Sequence, residues 1–273
     1  MYICTYFEDV MYKKKISYLL HSLTSFILML IVVRLLNIFI GDSLDAYLTS
    51  QIVFLASSLV AVLAYKIMPR DITPADTEEI PDPVPPMTKR DPLNCFVCVV
   101  IAFCAMMGLM YIVYTFLGSS QSTSYPLSPL YVVSLAVVHP VVEEYLFRHL
   151  YYEELRLLTP VFSVVAQATM FALDHDTVGS MFTALFCGIV LALLVEATGR
   201  WYLAVIAHSL INLRTLIYTT LLAESPNTRT AADLVFYAIG IAALAALVII
   251  RSKEKKPKPD ASAVNTAAQG ENT

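Results

Sequence analysis

Three apolar stretches of the sequence each carry residues that could do chemistry, and the first holds two adjacent carboxylates. Glu143 and Glu144 are followed by Arg148, four residues beyond Glu144. Glu144 and Arg148 share one face of a helix and can form a buried ion pair, whereas Glu143 points about 100° away around the axis and can face another group. A charged residue inside a membrane helix costs about 2.5–3.5 kcal/mol. Such residues are therefore expected to pair or to function.

Two further polar pairs follow at helical spacing. Phe171 and His175 are four residues apart at the end of one stretch, and His208 and Asn212 are four apart within a later one. Residues at this spacing project from one face, so a single helix can present an imidazole and an amide to the same cavity. A lone intramembrane histidine is usually an interhelical hydrogen bonder. Polar sites on three stretches favour a shared cavity.

These residue types permit hydrolysis of a peptide bond by an activated water. Burial at low dielectric makes a carboxylate a stronger base near neutral pH, which suits Glu143 as the general base. His208 and Asn212 can donate to the oxyanion, and His175 can position the water or protonate the leaving amine. Two histidines and a glutamate also form some zinc sites, so zinc held by Glu143, His175 and His208 is an alternative. We expect no obligatory metal or cofactor.

The composition places these residues in a membrane protein. The chain of 273 residues is 58% hydrophobic and 15% charged, whereas a soluble domain carries about 25% charged residues. Stretches near 20 apolar residues predict spanning helices. We predict an all-α polytopic membrane bundle with about eight transmembrane helices, at Ile16–Ile40, Ala46–Met68, Asn94–Leu117, Leu130–Tyr152, Pro160–Asp174, Val178–Thr198, Trp201–Leu222 and Ala232–Ile250.

Lysines and arginines lie mainly in alternate loops, which predicts the orientation. Lys13 to Lys15, Lys66, Arg70 and the basic run from Arg251 fall on one side, and Arg229 lies opposite. By the positive-inside rule both termini are cytoplasmic, in a protein of the cell membrane, and the Gly118–Ser128 loop is external. The basic residues mark span ends and meet lipid headgroups, so nucleic acid is not a predicted partner.

The sequence divides into four regions. Residues 1–68 form a pair of helices, and residues 69–93, which hold seven of the fourteen prolines, form an acidic cytoplasmic linker. Such a composition cannot build a packed core. Residues 94–251 carry the catalytic bundle and residues 252–273 a basic, polar tail. The five cysteines predict no disulfide framework.

Other polar residues receive a structural interpretation. Arg214 is expected to snorkel near a span end, and Glu196 to pair or snorkel. His139 matches none of the polar pairs and is placed outside the site.

The ordered set Glu-Glu-x-x-x-Arg, Phe-x-x-x-His and His-x-x-x-Asn resembles the CPBP family. That family includes CAAX prenyl endopeptidases and bacteriocin-processing or immunity proteins. The resemblance covers about Leu130 to Leu222, and Gly188-Ile-Val-Leu-Ala192 and Thr198-Gly199-Arg200 are similar to the family's usual lead-in. It implies an intramembrane endopeptidase with catalytic residues at Glu143, His175, His208 and Asn212, supported by Glu144 and Arg148. The motifs of zinc HExxH, GxSxG and GxGD proteases are missing from the sequence.

Three alternatives stay open from the sequence. The substrate could be a CAAX-type protein, a leader or bacteriocin peptide, or a segment of another membrane protein. The chain could instead be a scaffold or immunity protein that keeps the motifs without proteolysis. A transporter is a third reading, because ion pathways also use intramembrane Glu, His and Arg.

Overall fold

The computed structural model describes residues 2–40, 46–69, 91–117, 128–220 and 226–253. Within these residues all regular structure is helical, which confirms the predicted all-α bundle. The predicted linker and tail and the Gly118–Ser128 loop lie largely outside the described residues. The helices are α1 Tyr2–Ile40, α2 Ala46–Ile67, α3 Pro92–Leu117, α4 Pro129–Leu155, α5 Pro160–Leu173, α6 Val178–Thr198, α7 Trp201–Thr220 and α8 Pro226–Lys253.

Five of the described helices are long and apolar enough to cross a membrane, by length and composition. The qualifying segments lie in α1, α2, α3, α4 and α6. Helix α5 has 14 residues, or about 21 Å at 1.5 Å per residue, against about 30 Å for the hydrocarbon core. The apolar part of α8, Thr230–Ala243, is also short. The chain is an integral membrane protein, and the count of eight full crossings stays a prediction.

Local sequence signals set the helix ends around the site. The Thr159 hydroxyl accepts a hydrogen bond from the Phe162 N–H, and Pro160 occupies the first turn of α5. Thr177 and Ser180 form a capping box at the start of α6. Gly199 ends α6 in the left-handed region, with φ of 66°, where a side chain would be strained. These caps allow short turns, so α5, α6 and α7 stack closely.

Helix α4 is not a regular α-helix throughout. Its segments Ser134–Val138 and Tyr145–Tyr151 are π-helical, and they flank the regular turns of His139–Glu144. Pro140 has no N–H to donate to the helix before it, which loosens the helix at this point. Single π-turns are frequent at functional sites.

The helices pack into two buried clusters. One joins α1 and α2 to α4 and α5, with Phe26, Tyr151 and Phe171 among its members. The other joins α3, α6 and α7, with Met106, Leu191 and Ala204 among its members. Helix α4 contributes residues to both clusters, Tyr151 to the first and Tyr152 to the second.

Polar bonds also tie the first two helices to α4. Glu154 accepts a hydrogen bond of 2.6 Å from the Ser22 hydroxyl and lies 2.9 Å from His21 Nδ1. The Tyr65 hydroxyl donates to the Leu150 carbonyl at 3.2 Å. Buried hydrogen bonds of this kind fix how α1 and α2 dock on the rest of the bundle.

Candidate active site

Glu144 lies at the centre of a buried polar chain. Glu144 and Arg148 are both fully buried, and Arg148 Nη1 donates to Glu144 Oε1 at 2.9 Å. The predicted ion pair is therefore present. The same Oε1 lies 2.8 Å from His208 Nδ1 on α7. A carboxylate oxygen only accepts, so His208 carries its proton on Nδ1 and presents Nε2 to the cavity.

Glu143 faces away from this chain, as the 100° offset predicts. Its Oε2 lies 3.6 Å from His208 Nε2, and its Oε1 lies 4.0 Å from His139 Nδ1. The carboxyl group is 13% exposed, so it keeps access to the cavity while most of its surface is buried. A basic carboxylate between two imidazoles is the arrangement expected of a proton-transfer site.

Asn212 is held by the irregular part of α4. Its Nδ2 donates to the Leu135 carbonyl at 3.0 Å. In the π-turn, the N–H of His139 bonds the Ser134 carbonyl, and the residue five after Leu135 is Pro140, which has no N–H. The Leu135 carbonyl is thus left for Asn212. One amide hydrogen of Asn212 is used in this bond, and the second can serve a ligand in the cavity.

His175 is oriented by its own helix end. Its Nδ1 lies 2.9 Å from the Phe171 carbonyl, which can only accept, so Nδ1 carries the hydrogen and Nε2 holds the lone pair. The Phe171 ring packs edge-on against His175 and His208, at centroid distances of 5.0 and 5.8 Å. The Arg148 guanidinium stands 4.5 Å from the centre of the same ring. Phe171 therefore connects the three motifs.

One cavity of about 240 Å³ brings the predicted residues together. Glu143, His175, His208 and Asn212 all line it, and Thr183 and Cys187 of α6 form part of its wall. Glu144 and Arg148 lie behind the wall, where they hold His208. The structure therefore places the four predicted catalytic residues in one chamber, with room for water and a peptide carbonyl.

The predicted zinc ligands do not form a closed ligand set. Among the described residues, no group of three or more His, Cys, Asp or Glu side chains is arranged to hold a metal ion. His208 Nε2 faces Glu143, but His175 does not join them as a third ligand. The donors as arranged do not fit a three-ligand zinc centre.

The structure places His139 in the cavity wall, although the sequence analysis placed it outside the site. It lines the cavity, and its ring stacks on Phe54 of α2 with a centroid distance of 3.8 Å and an angle of 11°. Its Nε2 lies 2.9 Å from Gln51 Oε1, also on α2. The signal that could have found His139 is its position four residues before Glu143, the same spacing that identified the other pairs.

Two other polar residues can now be compared with their sequence interpretation. Arg214 has a partner that the sequence does not reveal: its Nη2 pairs with Asp233 of α8 at 3.0 Å, and its guanidinium lies over the Tyr218 ring. Glu196 pairs with Arg156 at 2.6 Å, which is one of the two roles that the sequence analysis predicted for it.

The comparisons with known proteins agree with this geometry. Residues 125–214, one third of the chain, match the model of a family described as type II CAAX prenyl endopeptidase Rce1-like. Neither the curated proteins nor the solved structures gave a match. The matched segment contains all six residues named from the motifs, and it does not contain α1, α2 or α3.

Proposed function

We propose that this chain cleaves a CAAX-type protein or peptide with a water that Glu143 activates, because residues 125–214 match the model of the type II CAAX prenyl endopeptidase Rce1-like family. The observation that carries this proposal is the position of Glu143. It is the only carboxylate among the described residues that lines the cavity, and it lies between His139 and His208 there.

The reaction follows from the groups around the cavity. A water donates a proton to Glu143, and its oxygen forms a bond to the peptide carbonyl carbon. The resulting oxyanion is stabilised by the second amide hydrogen of Asn212 and by the imidazolium form of His208, which donates from Nε2 while Nδ1 stays bonded to Glu144. The C–N bond then breaks, and the proton held by Glu143 passes to the leaving nitrogen. His175 can relay this proton through the lone pair on its Nε2. Arg148 and Glu144 keep His208 in the orientation that this step needs.

The decisive experiment is Glu143→Gln. The substitution keeps the size of the side chain and removes its basicity, so we expect cleavage to fall by at least about 10²–10⁴-fold with the protein still folded. The assay uses the purified full chain and an S-farnesylated peptide with a C-terminal CAAX sequence, carrying a fluorophore and a quencher.

Glu153→Gln on the same helix is the matched control. Glu153 pairs with His149 at 3.0 Å and is 39% exposed, so its replacement should leave cleavage unchanged. A folded Glu143→Gln variant that cleaves near the wild-type rate would remove the enzyme assignment and favour a non-proteolytic scaffold or immunity protein.

The metal alternative has its own test. We propose that no metal is obligatory, so cleavage should survive prolonged incubation with strong chelators. If zinc held the water, chelation would abolish cleavage and added zinc would restore it. Metal analysis of the purified active protein checks the same point without relying on activity.

A further inference from the structure

Glu143 has a second imidazole neighbour that the motifs do not contain. Glu143 Oε1 lies 4.0 Å from His139 Nδ1, one turn earlier on α4. The His139 side chain is 19% exposed and lines the same cavity. The two atoms are too far apart for a direct hydrogen bond, but the separation suits one bridging water.

Helix α2 determines which nitrogen of His139 carries the hydrogen. His139 Nε2 lies 2.9 Å from Gln51 Oε1, and the Ser134 hydroxyl donates to the same oxygen. An amide oxygen only accepts, so Nε2 is the protonated nitrogen and Nδ1 keeps its lone pair. Stacking on Phe54 fixes the plane of the ring. His139 therefore directs an acceptor toward the space beside Glu143.

We propose that His139 Nδ1 is the second acceptor for the attacking water, and that Gln51 is the positioning residue that holds His139 for this task. The water donates one hydrogen to Glu143 Oε1 and the other to His139 Nδ1. Its oxygen lone pairs then point away from both acceptors, toward the substrate carbonyl. His175 is left to serve the leaving amine. This inference rests on the proposed function.

The consequence concerns the extent of the catalytic unit. Gln51 and Phe54 lie on α2, outside the segment that matches the family model. Helix α2 thus takes part in the chemistry through His139, in addition to packing against α4.

The first test compares two substitutions of His139. His139→Phe keeps a ring for stacking but removes the acceptor, so kcat for the farnesylated peptide should fall about 10- to 100-fold, the loss expected for one hydrogen bond to a charged transition state. KM should change by less than about twofold, because the ground-state substrate does not use this bond. His139→Asn places an oxygen near the Nδ1 position and should recover most of the lost kcat.

The second test addresses Gln51. Gln51→Leu should lower kcat in the same direction as His139→Phe, whereas Ser57→Ala on the same helix should not, since the Ser57 hydroxyl only donates to the Phe54 carbonyl. Nitrogen-15 NMR of histidine-labelled full chain should show His139 protonated on Nε2 in the wild type. In Gln51→Leu this preference should be lost.

The outcomes separate the two proposals. A wild-type chain that cleaves nothing contradicts the proposed function and the role of His139 with it. If the wild-type chain cleaves and the His139→Phe variant cleaves with the same kcat, the role of His139 is contradicted and the proposed function is not. An NMR spectrum with His139 protonated on Nδ1 contradicts the role of Gln51 whatever the activity.

Discussion

Glu144 accepts hydrogen bonds from two residues, so its ion pair with Arg148 also orients a residue of the cavity. Its Oε1 receives both Arg148 Nη1 and His208 Nδ1. Because both groups meet at one carboxylate oxygen, the position of Arg148 fixes Glu144, and Glu144 in turn fixes the ring of His208. A change at Arg148 therefore reaches the cavity through two intermediates, without Arg148 lining the cavity itself.

Arg148→Ala should destabilise the protein strongly. Both partners of the pair are fully buried, and removing one leaves an uncompensated charge, at a cost of about 3–5 kcal/mol. Arg156→Ala is the comparison, because its partner Glu196 is 32% exposed and water can take over part of the interaction. Thermal unfolding in detergent should rank Arg148→Ala well below Arg156→Ala. Equal melting temperatures for the two variants would contradict the buried-charge argument.

The residues of the site could be predicted from spacing to the extent that their partners lie on the same helix. The Glu144–Arg148 pair and the outward direction of Glu143 follow from helical geometry. His139 also obeys that geometry, but its role depends on Gln51 and Phe54 of α2. No pattern in the sequence shows which face of α2 meets α4, so the sequence alone places His139 outside the site.

At the scale of helices, the close approach of α5 and α6 supports the cavity. A Cβ atom added to Gly188 of α6 would lie 3.1 Å from the Cα and Cβ atoms of Ala168 on α5. The Gly188 carbonyl also accepts from Gln167 Nε2 at 3.1 Å. Since the crowding atoms are the Cα of α5 and the Cβ bonded directly to it, they cannot move away as the end of a flexible side chain could.

Gly188→Ala should therefore separate α5 from α6 and lower stability by about 1–3 kcal/mol. Gly108→Ala on α3 is the matched control, since its new Cβ would meet only the Tyr237 ring, at 3.9 Å. There the helix-propensity gain of about 0.5–1 kcal/mol should dominate. We expect Gly188→Ala to lower the melting temperature relative to the wild type and Gly108→Ala to raise it. A Gly188→Ala variant as stable as Gly108→Ala would show that the two helices are not in tight contact.

Helix positions were predictable because apolar runs of the required length leave little choice of structure in a membrane. Most predicted ends agree with the structure within a few residues, as for Asn94–Leu117 against Pro92–Leu117. The sequence did not allow us to predict at which residues of α4 the π-turns occur. The first of them, Ser134–Val138, lies beside Pro140 and contains the Leu135 carbonyl that accepts from Asn212 of another helix, a contact that the local sequence does not specify.

At the scale of the whole molecule, orientation rests on the distribution of basic residues. Reporter fusions in the Gly118–Ser128 loop should score as external, and fusions after Lys253 as cytoplasmic. Parallel fusions in residues 70–90 give a second cytoplasmic point. A cytoplasmic signal from the Gly118–Ser128 loop would overturn the proposed orientation and with it the side from which a substrate reaches Glu143.

The dependence of the site on α1 and α2 leads to a final prediction, for a chain divided between residues 69 and 91. Residues 91–273 contain every motif residue, but alone they lack Gln51, and Glu154 loses its bonds to His21 and Ser22. We expect this fragment to insert into the membrane and to cleave at least about 10-fold more slowly than the intact chain, since one positioning hydrogen bond is lost.

Separately inserted helices can associate in the bilayer through packing and interhelical hydrogen bonds, so co-expression of residues 1–69 should restore cleavage and the two fragments should purify together. When residues 1–69 carry Gln51→Leu, the two fragments should still purify together, but cleavage should recover only slightly. Full activity of residues 91–273 alone would show that the first two helices are dispensable for the chemistry.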